Sequence, residues 1–325
     1  MTTVLVTGAG GFIGGHLVSS LLEQGFNVRA VDVKPFDMWY QVNVNALNES
    51  RDLSILEECK SSVVGVDFIY NLAADMGGMG FIESHKADCM LTVLINTHML
   101  MAAREANIER YFFSSSACVY SAVKQEVTDL QPLRESDAYP ALPEDGYGWE
   151  KLFSERMCRH FLEDFGLETR VARFHNVYGP FGTYDGGREK APAAICRKIA
   201  IAKISGIKEI EIWGDGNQTR SFMYIDDCIT GTQKIMNGEN RDPVNLGSEE
   251  MVSINQLVSI TEEIAGVKVN RKYNLTAPQG VRGRTSDNTM MRDIYNWEPK
   301  TSLITGMTKT YQWIYDEIVS GRPII

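Results

Sequence analysis

The sequence predicts an α/β protein in which a doubly wound parallel sheet carries a second, smaller α/β lobe. Three observations support this fold class. Short β-branched runs alternate with segments of helical apolar spacing, a glycine-rich turn follows the first of these runs, and the alternation stops after Phe174. The 325 residues, 44% of them hydrophobic, are enough for two units with full cores, so no disulfide or metal is needed to stabilise them.

The elements of the first half follow one another in regular alternation. The predicted strands are Val4–Thr7, Val28–Asp32, Phe68–Leu72, Tyr111–Ser115 and Thr169–Phe174. The predicted helices are Phe12–Gln24, Leu53–Cys59, Leu91–Ala106 and Tyr147–Phe165. Parallel strands need such crossovers, and a sheet of this kind binds ligands beyond the carboxyl ends of its strands.

The second half has a different character. After Phe174 a glycine-rich loop leads to a helix predicted at Ala191–Ser205. Short strands at Phe222–Ile225 and Val244–Leu246 predict a return to the first domain before the segment from Ser253 onward completes the smaller lobe. We therefore expect a first domain of residues 1–175 with 222–248, and a lobe of residues 176–221 with 249–325.

Charge and cysteine usage restrict the class of protein. The 32 basic and 42 acidic residues give a net charge of −10, so the chain lacks the broad positive field that non-specific nucleic-acid binding needs. The six cysteines show no CxxC spacing, which argues against a zinc site or a disulfide framework and for a reducing compartment. No stretch of the sequence is long and apolar enough to span a membrane. We expect a cytoplasmic protein that binds neither nucleic acid nor membranes.

The glycine-rich turn is the first candidate binding feature. Residues 8–14 read Gly-Ala-Gly-Gly-Phe-Ile-Gly between a predicted strand and a predicted helix, so that a pyrophosphate can approach the helix N-terminus closely. Asp32 ends the second predicted strand, where a carboxylate accepts from an adenosine ribose and repels a 2′-phosphate. Together these features predict a Rossmann domain that binds NAD in preference to NADP.

The expected cofactor contacts extend beyond this turn. Asp52 and Leu53 follow a third predicted strand and can reach the adenine edge, although a plain surface position for Asp52 fits the sequence equally well. We expect cofactor contacts from Gly8, Gly11, Phe12, Ile13, Gly14, Asp32, Asp52, Leu53, Ala73, Tyr147 and Lys151. We expect no metal site.

A candidate catalytic pair begins the fourth predicted helix. Tyr147 and Lys151 share one helix face, where the ammonium, like a positive nicotinamide, lowers the phenol pKa and lets Tyr147 act as a base. The YxxxK spacing alone arises often by chance. With the dinucleotide turn and a strand that ends in serines, it resembles the extended short-chain dehydrogenase/reductase family. That resemblance implies a constellation of Ser116, Tyr147 and Lys151.

Longer stretches carry a narrower resemblance. They are NLAADMGGMG from Asn71, SSAC from Ser115, RFHN from Arg173, GGREKAP from Gly186, WGDGNQTR from Trp213, VRGR from Val281 and NWEP from Asn296. These stretches resemble the GDP-mannose 3,5-epimerases over nearly the whole chain. The resemblance implies an NAD-dependent isomerase that forms a transient 4-keto sugar, inverts C3 and C5 of GDP-mannose, and gives GDP-L-galactose and GDP-L-gulose.

The same resemblance assigns individual residues. It makes Cys118 and Lys190 the acid–base pair on opposite faces of the sugar ring. It implies substrate contacts at Gly77, Ser116, Asn176, Glu189, Lys190, Lys198, Gln218 and Arg220. We add Arg282 from charge alone, because a nucleoside diphosphate needs local cations in an acidic protein. The resemblance also implies a homodimer that pairs the helices predicted at Leu91–Ala106 and Tyr147–Phe165.

Several alternatives stay open at this point. Taken alone, Cys118 reads as a small buried apolar residue, Lys190 as a solvated lysine and Arg282 as one partner of a surface salt bridge. The sugar of the substrate is either mannose or a heptose. A nucleotide-sugar 4,6-dehydratase shares the oxidation at C4 but needs an acidic residue beside the strand-end serine, where this chain has Ala117 and Cys118. A non-catalytic NAD-binding scaffold has no use for both Tyr147 and Lys151.

Overall fold

A computed structural model describes residues 2–321, so Met1 and residues 322–325, which our domain boundaries include, lie outside the described chain. The strands are β1 (Thr3–Thr7), β2 (Asn27–Asp32), β3 (Leu47–Ser50), β4 (Phe68–Asn71), β5 (Arg110–Ser116), β6 (Thr169–Phe174), β7 (Val177–Tyr178), β8 (Glu209–Trp213), β9 (Thr219–Ser221), β10 (Met223–Tyr224), β11 (Val244–Leu246), β12 (Met251–Ser253), β13 (Asn270–Asn274) and β14 (Gly283–Arg284). The helices are α1 (Phe12–Glu23), α2 (Leu56–Ser62), α3 (Met79–Ser84), α4 (Lys86–Glu105), α5 (Tyr147–Phe165), α6 (Ala191–Ser205), α7 (Ile225–Asn237), α8 (Ile254–Ala265), α9 (Thr289–Tyr295) and α10 (Leu303–Ser320).

The central sheet has seven parallel strands in the order β3-β2-β1-β4-β5-β6-β11. The chain winds outward from β1 in one direction and then outward from β4 in the other. Crossover loops therefore diverge between β1 and β4, which opens a crevice at the carboxyl ends of these strands. The predicted doubly wound parallel sheet is confirmed.

Alternating side chains of the strands face two helical layers. Val4 and Val6 of β1 belong to the larger apolar core, on the side of α1 and α7. Leu5 between them belongs to a second core, on the side of α2, α4 and α5. Because successive side chains of a strand point to opposite faces, continuous apolar runs are what a sheet buried on both faces needs.

The smaller lobe is built from short sheets and three packed helices. Strands β12, β9 and β14 form one sheet, and β8 pairs with β13 in another. Helices α6, α8 and α10 pack against one another beside these strands. The return of Val244–Leu246 to the central sheet is confirmed, since β11 pairs with β6. The strand predicted at Phe222–Ile225 instead pairs with β7 as the two-residue β10, because Ile225 already begins α7.

Most predicted elements keep their bounds, and two move. Helix α2 begins at Leu56 and not at Leu53, because Asp52 forms a turn: its carboxylate accepts the Ser54 N–H at 2.9 Å and its carbonyl accepts the Ile55 N–H at 3.1 Å. Helix α4 begins at Lys86, five residues before the predicted start. Within residues 2–321, no helix has the length and apolar character required to cross a bilayer.

Candidate active site

The glycine turn between β1 and α1 leaves no room for side chains. Gly8 has a φ of +68°, and a Cβ there would lie 2.9 Å from the backbone nitrogen of Ala73 after β4. A Cβ on Gly14 would lie 2.2 Å from the Gly8 carbonyl oxygen. The Gly11 N–H closes the turn on the same carbonyl at 3.0 Å. Backbone N–H groups at the start of α1 thus line an open cradle at the crevice, as a pyrophosphate site requires.

Asp32 at the end of β2 is tied to this cradle. Its carboxylate accepts the N–H of Gly10 and the N–H of Lys34, each at 3.0 Å, and the side chain is nearly buried. The Lys34 ammonium donates back to the Gly10 carbonyl at 3.0 Å. The indole of Trp39 fills the space beside Gly10, where a Cβ would lie 2.4 Å from its Nε1. Neither Lys34 nor Trp39 was identified from the sequence.

The remaining cofactor candidates lie around the same crevice. Phe12 and Ile13 start α1 and are half-buried, and a Cβ on Gly182 would contact the Phe12 ring at 3.3 Å. Phe12 therefore reaches the loop after β7 in the second half of the chain. Leu53 is buried in the core, whereas the Asp52 side chain is exposed and caps its own turn. A contact from Asp52 to the adenine edge stays a prediction.

A buried polar network connects the strand ends to the catalytic helix. The Asn71 amide donates to Asn96 Oδ1 at 2.8 Å, and the Thr7 hydroxyl donates to Asn71 Oδ1 at 2.7 Å. The Asn96 amide in turn donates to the Glu150 carboxylate at 2.5 Å. Because buried polar groups are costly unless paired, this chain of hydrogen bonds fixes α5 relative to β1 and β4. These residues are far apart in sequence and show no local pattern.

The predicted serine, tyrosine and lysine come together at the crevice. Tyr147 and Lys151 lie in the first turns of α5, and both are buried. The Lys151 ammonium lies 5.5 Å from the centre of the Tyr147 ring and 3.8 Å from a Glu150 carboxylate oxygen. Ser116, at the end of β5, is hydrogen-bonded to the Tyr147 hydroxyl. This arrangement places a phenol, a hydroxyl and an ammonium on one side of the site.

The pKa of Tyr147 departs from the expectation. Burial raises it well above the usual value, and the charges of Cys118 and Glu150 act in the same direction, while the Ser116 hydrogen bond opposes them. In the protein alone the pKa of the Tyr147 phenol is thus raised and not lowered, because burial disfavours the phenolate.

Cys118 lies next to this constellation in a short 3-10 turn, Ala117–Val119, that follows β5. One guanidinium nitrogen of Arg284 lies 3.6 Å from its sulfur. The rest of that buried guanidinium is held by Gln125 at 2.7 Å and by an ion pair with Glu144. A fixed positive charge thus lies beside the thiol, as a thiolate base requires. The sequence singled out Arg282 by its charge and missed Arg284, two residues later.

Lys190 approaches Cys118 from the smaller lobe. It lies at the N-terminal boundary of α6, after a loop in which Gly186 and Gly187 have φ values of +90° and +89°. Burial lowers the pKa of Lys190, and the negative charge of Cys118 opposes this effect. The Lys190 side chain is half-buried, so it is neither fully solvated nor fully enclosed.

Three basic side chains around the site lack a carboxylate partner within 4.0 Å among residues 2–321, namely Lys190, Lys198 and Arg220. The Arg220 guanidinium donates only to carbonyl oxygens, among them that of Thr219 at 2.7 Å, and burial lowers its pKa to about 10. Lys198 donates to the Glu211 carbonyl at 2.7 Å, and burial lowers its pKa as well. Unpaired positive charges of this kind suit an anionic ligand.

The other predicted substrate contacts divide into two groups. Gln218 is buried, its Oε1 accepts no hydrogen bond within the described chain, and Asn176 adopts a φ of +35° beside β9. By contrast, Arg282 pairs through two nitrogens with Asp215, each at 3.1 Å, and so lowers the pKa of Asp215 to about 2. Arg282 therefore forms an ion pair with a surface carboxylate, and its role in substrate binding stays a prediction.

Two further predicted contacts belong to neighbouring loops. Glu189 pairs with Arg197 of α6 at 3.4 Å, and a Cβ on Gly77 would lie 2.9 Å from the Cβ of Phe81. The two loops contact each other, since the Gly78 N–H donates to the Arg188 carbonyl at 2.9 Å. Their roles in substrate binding stay predictions.

Comparison with known proteins identifies the family. A model of the NAD dependent epimerase/dehydratase family matches residues 4–247. The chain belongs to this family. Among solved structures, the UDP-glucose 4-epimerase of Thermotoga maritima with UDP-glucose has a similar fold, with a TM-score of 0.88 at 25% identity. The match covers 98% of this chain and 100% of that one. The structure of MoeE5 with UDP-glucuronic acid and NAD has a TM-score of 0.81 at 29% identity, over 97% and 99% of the two chains.

Two relatives within the epimerase/dehydratase family are more similar in sequence to this chain than these solved structures are. The GDP-mannose 3,5-epimerase 1 of Oryza sativa subsp. japonica is 44% identical over 97% of this chain and 82% of its own length. The GDP-mannose 3,5-epimerase of Arabidopsis thaliana has the same identity and coverage. The resemblance expected from the sequence is confirmed.

The epimerase/dehydratase family uses NAD, and the residues of this chain fit that cofactor. The tight turn, in which a Cβ at Gly8 or Gly14 would clash with neighbouring backbone, lets a pyrophosphate approach the start of α1, and the Asp32 carboxylate at the end of β2 suits the adenosine ribose. The contact of Tyr147 and Lys151 with the cofactor stays a prediction. Within the described residues, no group of three His, Cys, Asp or Glu side chains could hold a metal ion.

Proposed function

We propose that this protein epimerises GDP-mannose at C3 and C5 by way of a 4-keto sugar. The proposal is supported by the positions of Cys118, in the turn directly after Ser116, and of Lys190, which is near enough to Cys118 for their charges to interact. A second acid–base pair there would lie beside Ser116, Tyr147 and Lys151, the residues to which the resemblance assigns the oxidation. The relatives at 44% identity carry the name of this activity. Oxidation at C4 alone needs no second pair, so the pair supports inversion at the neighbouring carbons.

The chemistry explains why oxidation has to come first. The C–H bonds at C3 and C5 of a hexose are too weakly acidic for any side-chain base, but they become acidic when C4 is a ketone, because the carbanion is then an enolate. Bound NAD supplies the redox step at C4. Tyr147 accepts the proton of the C4 hydroxyl, Ser116 orients that hydroxyl, and Lys151 keeps positive charge near the phenol.

Inversion needs a base on one face of the ring and an acid on the other. Cys118, with the Arg284 guanidinium 3.6 Å from its sulfur, removes the proton. Lys190 delivers a proton from the side of the smaller lobe, and because burial lowers its pKa, its ammonium is a stronger acid than an exposed lysine. After each inversion Cys118 loses its proton to solvent and Lys190 takes one up, so the pair can act again. Two successive inversions convert the D-manno ring into the L-galacto ring, and inversion at C5 alone gives the L-gulo ring.

The diphosphate is held by the cations that have no carboxylate partner. Lys198 and Arg220 supply charge, and Gln218 supplies a neutral polar group with an unused acceptor. Because these residues lie in the smaller lobe and the redox constellation lies at the central sheet, the sugar is held between the two. We therefore propose two domains. The first comprises residues 1–175 with 222–248, and the second comprises residues 176–221 with 249–325.

The experiment that tests this function offers the purified enzyme a panel of nucleotide sugars. We expect GDP-mannose to be converted to GDP-L-galactose and GDP-L-gulose, identified by the ring-proton couplings in NMR spectra. If the enzyme turned over a GDP-heptose in preference to GDP-mannose, the sugar of its substrate would be a heptose. A 4-keto-6-deoxy product would instead make the protein a dehydratase.

NAD should remain bound through purification. The cofactor returns to its starting form within each turnover, so its release serves no step. Asp32, nearly buried at the end of β2, should also exclude NADP, because its carboxylate repels a 2′-phosphate. Acid extraction followed by chromatography should release about one NAD per chain, and no added cofactor should be needed. An active preparation that released NADP, or nothing, would contradict this expectation.

A homodimer is the proposed assembly. Helices α4 and α5 pack side by side and expose apolar side chains: Met90, Leu91, Leu94, Trp149 and Phe153, each 40–58% exposed. Two copies of this face can form a four-helix contact about a twofold axis.

The six cysteines are free and buried, which supports a reducing, cytoplasmic setting.

Light scattering at micromolar concentration should give twice the chain mass of 36.4 kDa. Leu91→Asp on the exposed face of α4 should give a folded monomer, since a buried unpaired charge is costly at such an interface. The control is Ile207→Asp, which changes a similarly exposed residue outside α4 and α5 and should leave the dimer intact. A wild-type mass of one chain would disprove the assembly.

A further inference from the structure

Arg188 ties the loop that carries Lys190 to the loop after β4, and no step described above uses it. One of its guanidinium nitrogens donates to the Asp75 carboxylate at 2.6 Å and to the Met76 carbonyl at 3.2 Å. The guanidinium carbon also lies 3.7 Å from the centre of the Phe81 ring. Arg188 is thus held by charge, by a backbone acceptor and by an aromatic face at once.

The aromatic ring under Arg188 is itself fixed. His85 stacks on the Phe81 ring with centroids 4.3 Å apart and an interplanar angle of 12°. The Phe81 ring is buried in a small apolar cluster that also contains Cys118 and Tyr147. The position of Arg188 is therefore set by the same cluster that holds the base and the redox tyrosine.

The two loops also touch through their backbones. The Gly78 N–H donates to the Arg188 carbonyl at 2.9 Å, and a Cβ on Gly78 would lie 2.4 Å from the Glu189 carbonyl oxygen. No side chain fits between the loops at this point. The contact is consequently close enough to transmit a displacement of one loop to the other.

A second arginine holds the same segment from the opposite side. Arg197, one and a half turns into α6, pairs with Asp185 at 3.3 Å and with Glu189 at 3.4 Å. The segment 185–189 is therefore clamped between the smaller lobe and the loop after β4. Lys190 follows the clamped segment directly and is the N-cap residue that precedes α6.

We propose that Arg188 is a positioning residue for inversion, which fixes Lys190 opposite Cys118 by docking segment 185–189 onto the loop after β4. This inference rests on the function proposed above. A planar guanidinium can bind a carboxylate and lie flat on an aromatic ring at the same time, whereas an ammonium cannot do both. Because proton transfer needs its partners within hydrogen-bond reach, a displacement of Lys190 by about 1 Å costs up to a hundredfold in rate.

The test separates oxidation from proton transfer in Arg188→Ala. With GDP-mannose in D₂O, we expect deuterium incorporation at C3 and C5 to slow at least tenfold, with KM within about threefold of wild type. Bound NAD and the extent of C4 oxidation, followed by absorbance of the reduced cofactor, should stay at wild-type levels. Arg188→Lys, which keeps the charge toward Asp75 but loses the flat contact with Phe81, should recover only part of the exchange rate.

The control variant is Arg292→Ala. Arg292 is an exposed arginine with two carboxylate partners, Glu249 and Glu298, each at 2.8 Å, and it lies away from the site. We expect wild-type exchange from it. Exchange by Arg188→Ala within twofold of wild type would overturn the proposal, and so would an equal loss of C4 oxidation and exchange, which marks a merely structural tie.

The outcome also separates this inference from the function on which it rests. If the wild-type enzyme incorporates no deuterium at C3 or C5, the proposed function fails and the role of Arg188 fails with it. If the wild type exchanges both positions and Arg188→Ala does so equally fast, only the role of Arg188 is wrong. A double variant with Asp75→Asn should slow exchange no further than Arg188→Ala alone, because the two residues act through one contact.

Discussion

Tyr147→Phe should abolish both product formation and hydrogen exchange. The variant keeps the ring in its buried position on α5 but has no group to accept the C4 hydroxyl proton. The ketone then does not form, and C3 and C5 keep their unactivated C–H bonds. A lost acid–base group costs at least about a hundredfold in rate, or about 3 kcal/mol of barrier. The rates of product formation and of deuterium incorporation from D₂O into GDP-mannose should fall together.

Tyr70→Phe is the matched control for this experiment. Tyr70 is a buried tyrosine on β4 that packs against Phe112 in the core and takes no part in the proposed chemistry. It should retain wild-type rates. If Tyr147→Phe exchanged deuterium at C5 at close to the wild-type rate, the 4-keto intermediate would be excluded.

Cys118→Ala should separate the two halves of the reaction. Tyr147 and Lys151 are untouched, so the variant should still oxidise C4 and show the absorbance of reduced cofactor with GDP-mannose. Product formation should fall by about 10²–10⁴, or about 3–5 kcal/mol, because the base is gone. Cys118→Ser should also be slow, since a hydroxyl is a far weaker base than a thiolate. Lys190→Ala should lose product as well, with a weaker hold on the diphosphate.

Cys89→Ala controls for the loss of a buried thiol. Cys89 belongs to the same apolar cluster as Cys118 and Tyr147, and it takes no part in the proposed chemistry. Burial raises its pKa, while the charge of Arg188 opposes this effect. It should turn over within tenfold of wild type. A Cys118→Ala enzyme that epimerised within tenfold of wild type would make Cys118 a core residue and nothing more.

Local patterns in the sequence were enough to predict the framework of the site. The glycine turn, the carboxylate at the end of β2 and the spacing of Tyr147 and Lys151 each depend on neighbouring residues in one element, so strand and helix periods place them correctly. Helix α5 has the predicted bounds for this reason. Helix α2 was misplaced because the turn at Asp52, which is a local side-chain to backbone contact, competes with the helical pattern.

Contacts between distant segments could not be predicted in this way. Arg282 directly precedes β14 and Arg284 ends that strand, and only the path of this segment decides that the first pairs with Asp215 while the second reaches Cys118. The pKa of Tyr147 was misjudged for a similar reason, because its burial depends on α3, α4 and the turn after β5 together. Periodicity reports which face of an element is apolar, and it contains no information on what that face meets.

The most direct test of the central claim is NMR of GDP-mannose incubated with the wild-type enzyme in D₂O. The account predicts that deuterium enters C3 and C5, that C4 keeps its original hydrogen, and that exchange at both carbons accompanies the appearance of GDP-L-galactose and GDP-L-gulose. Epimerised product without deuterium at C5, or deuterium at C5 together with loss of the C6 hydroxyl, would contradict it.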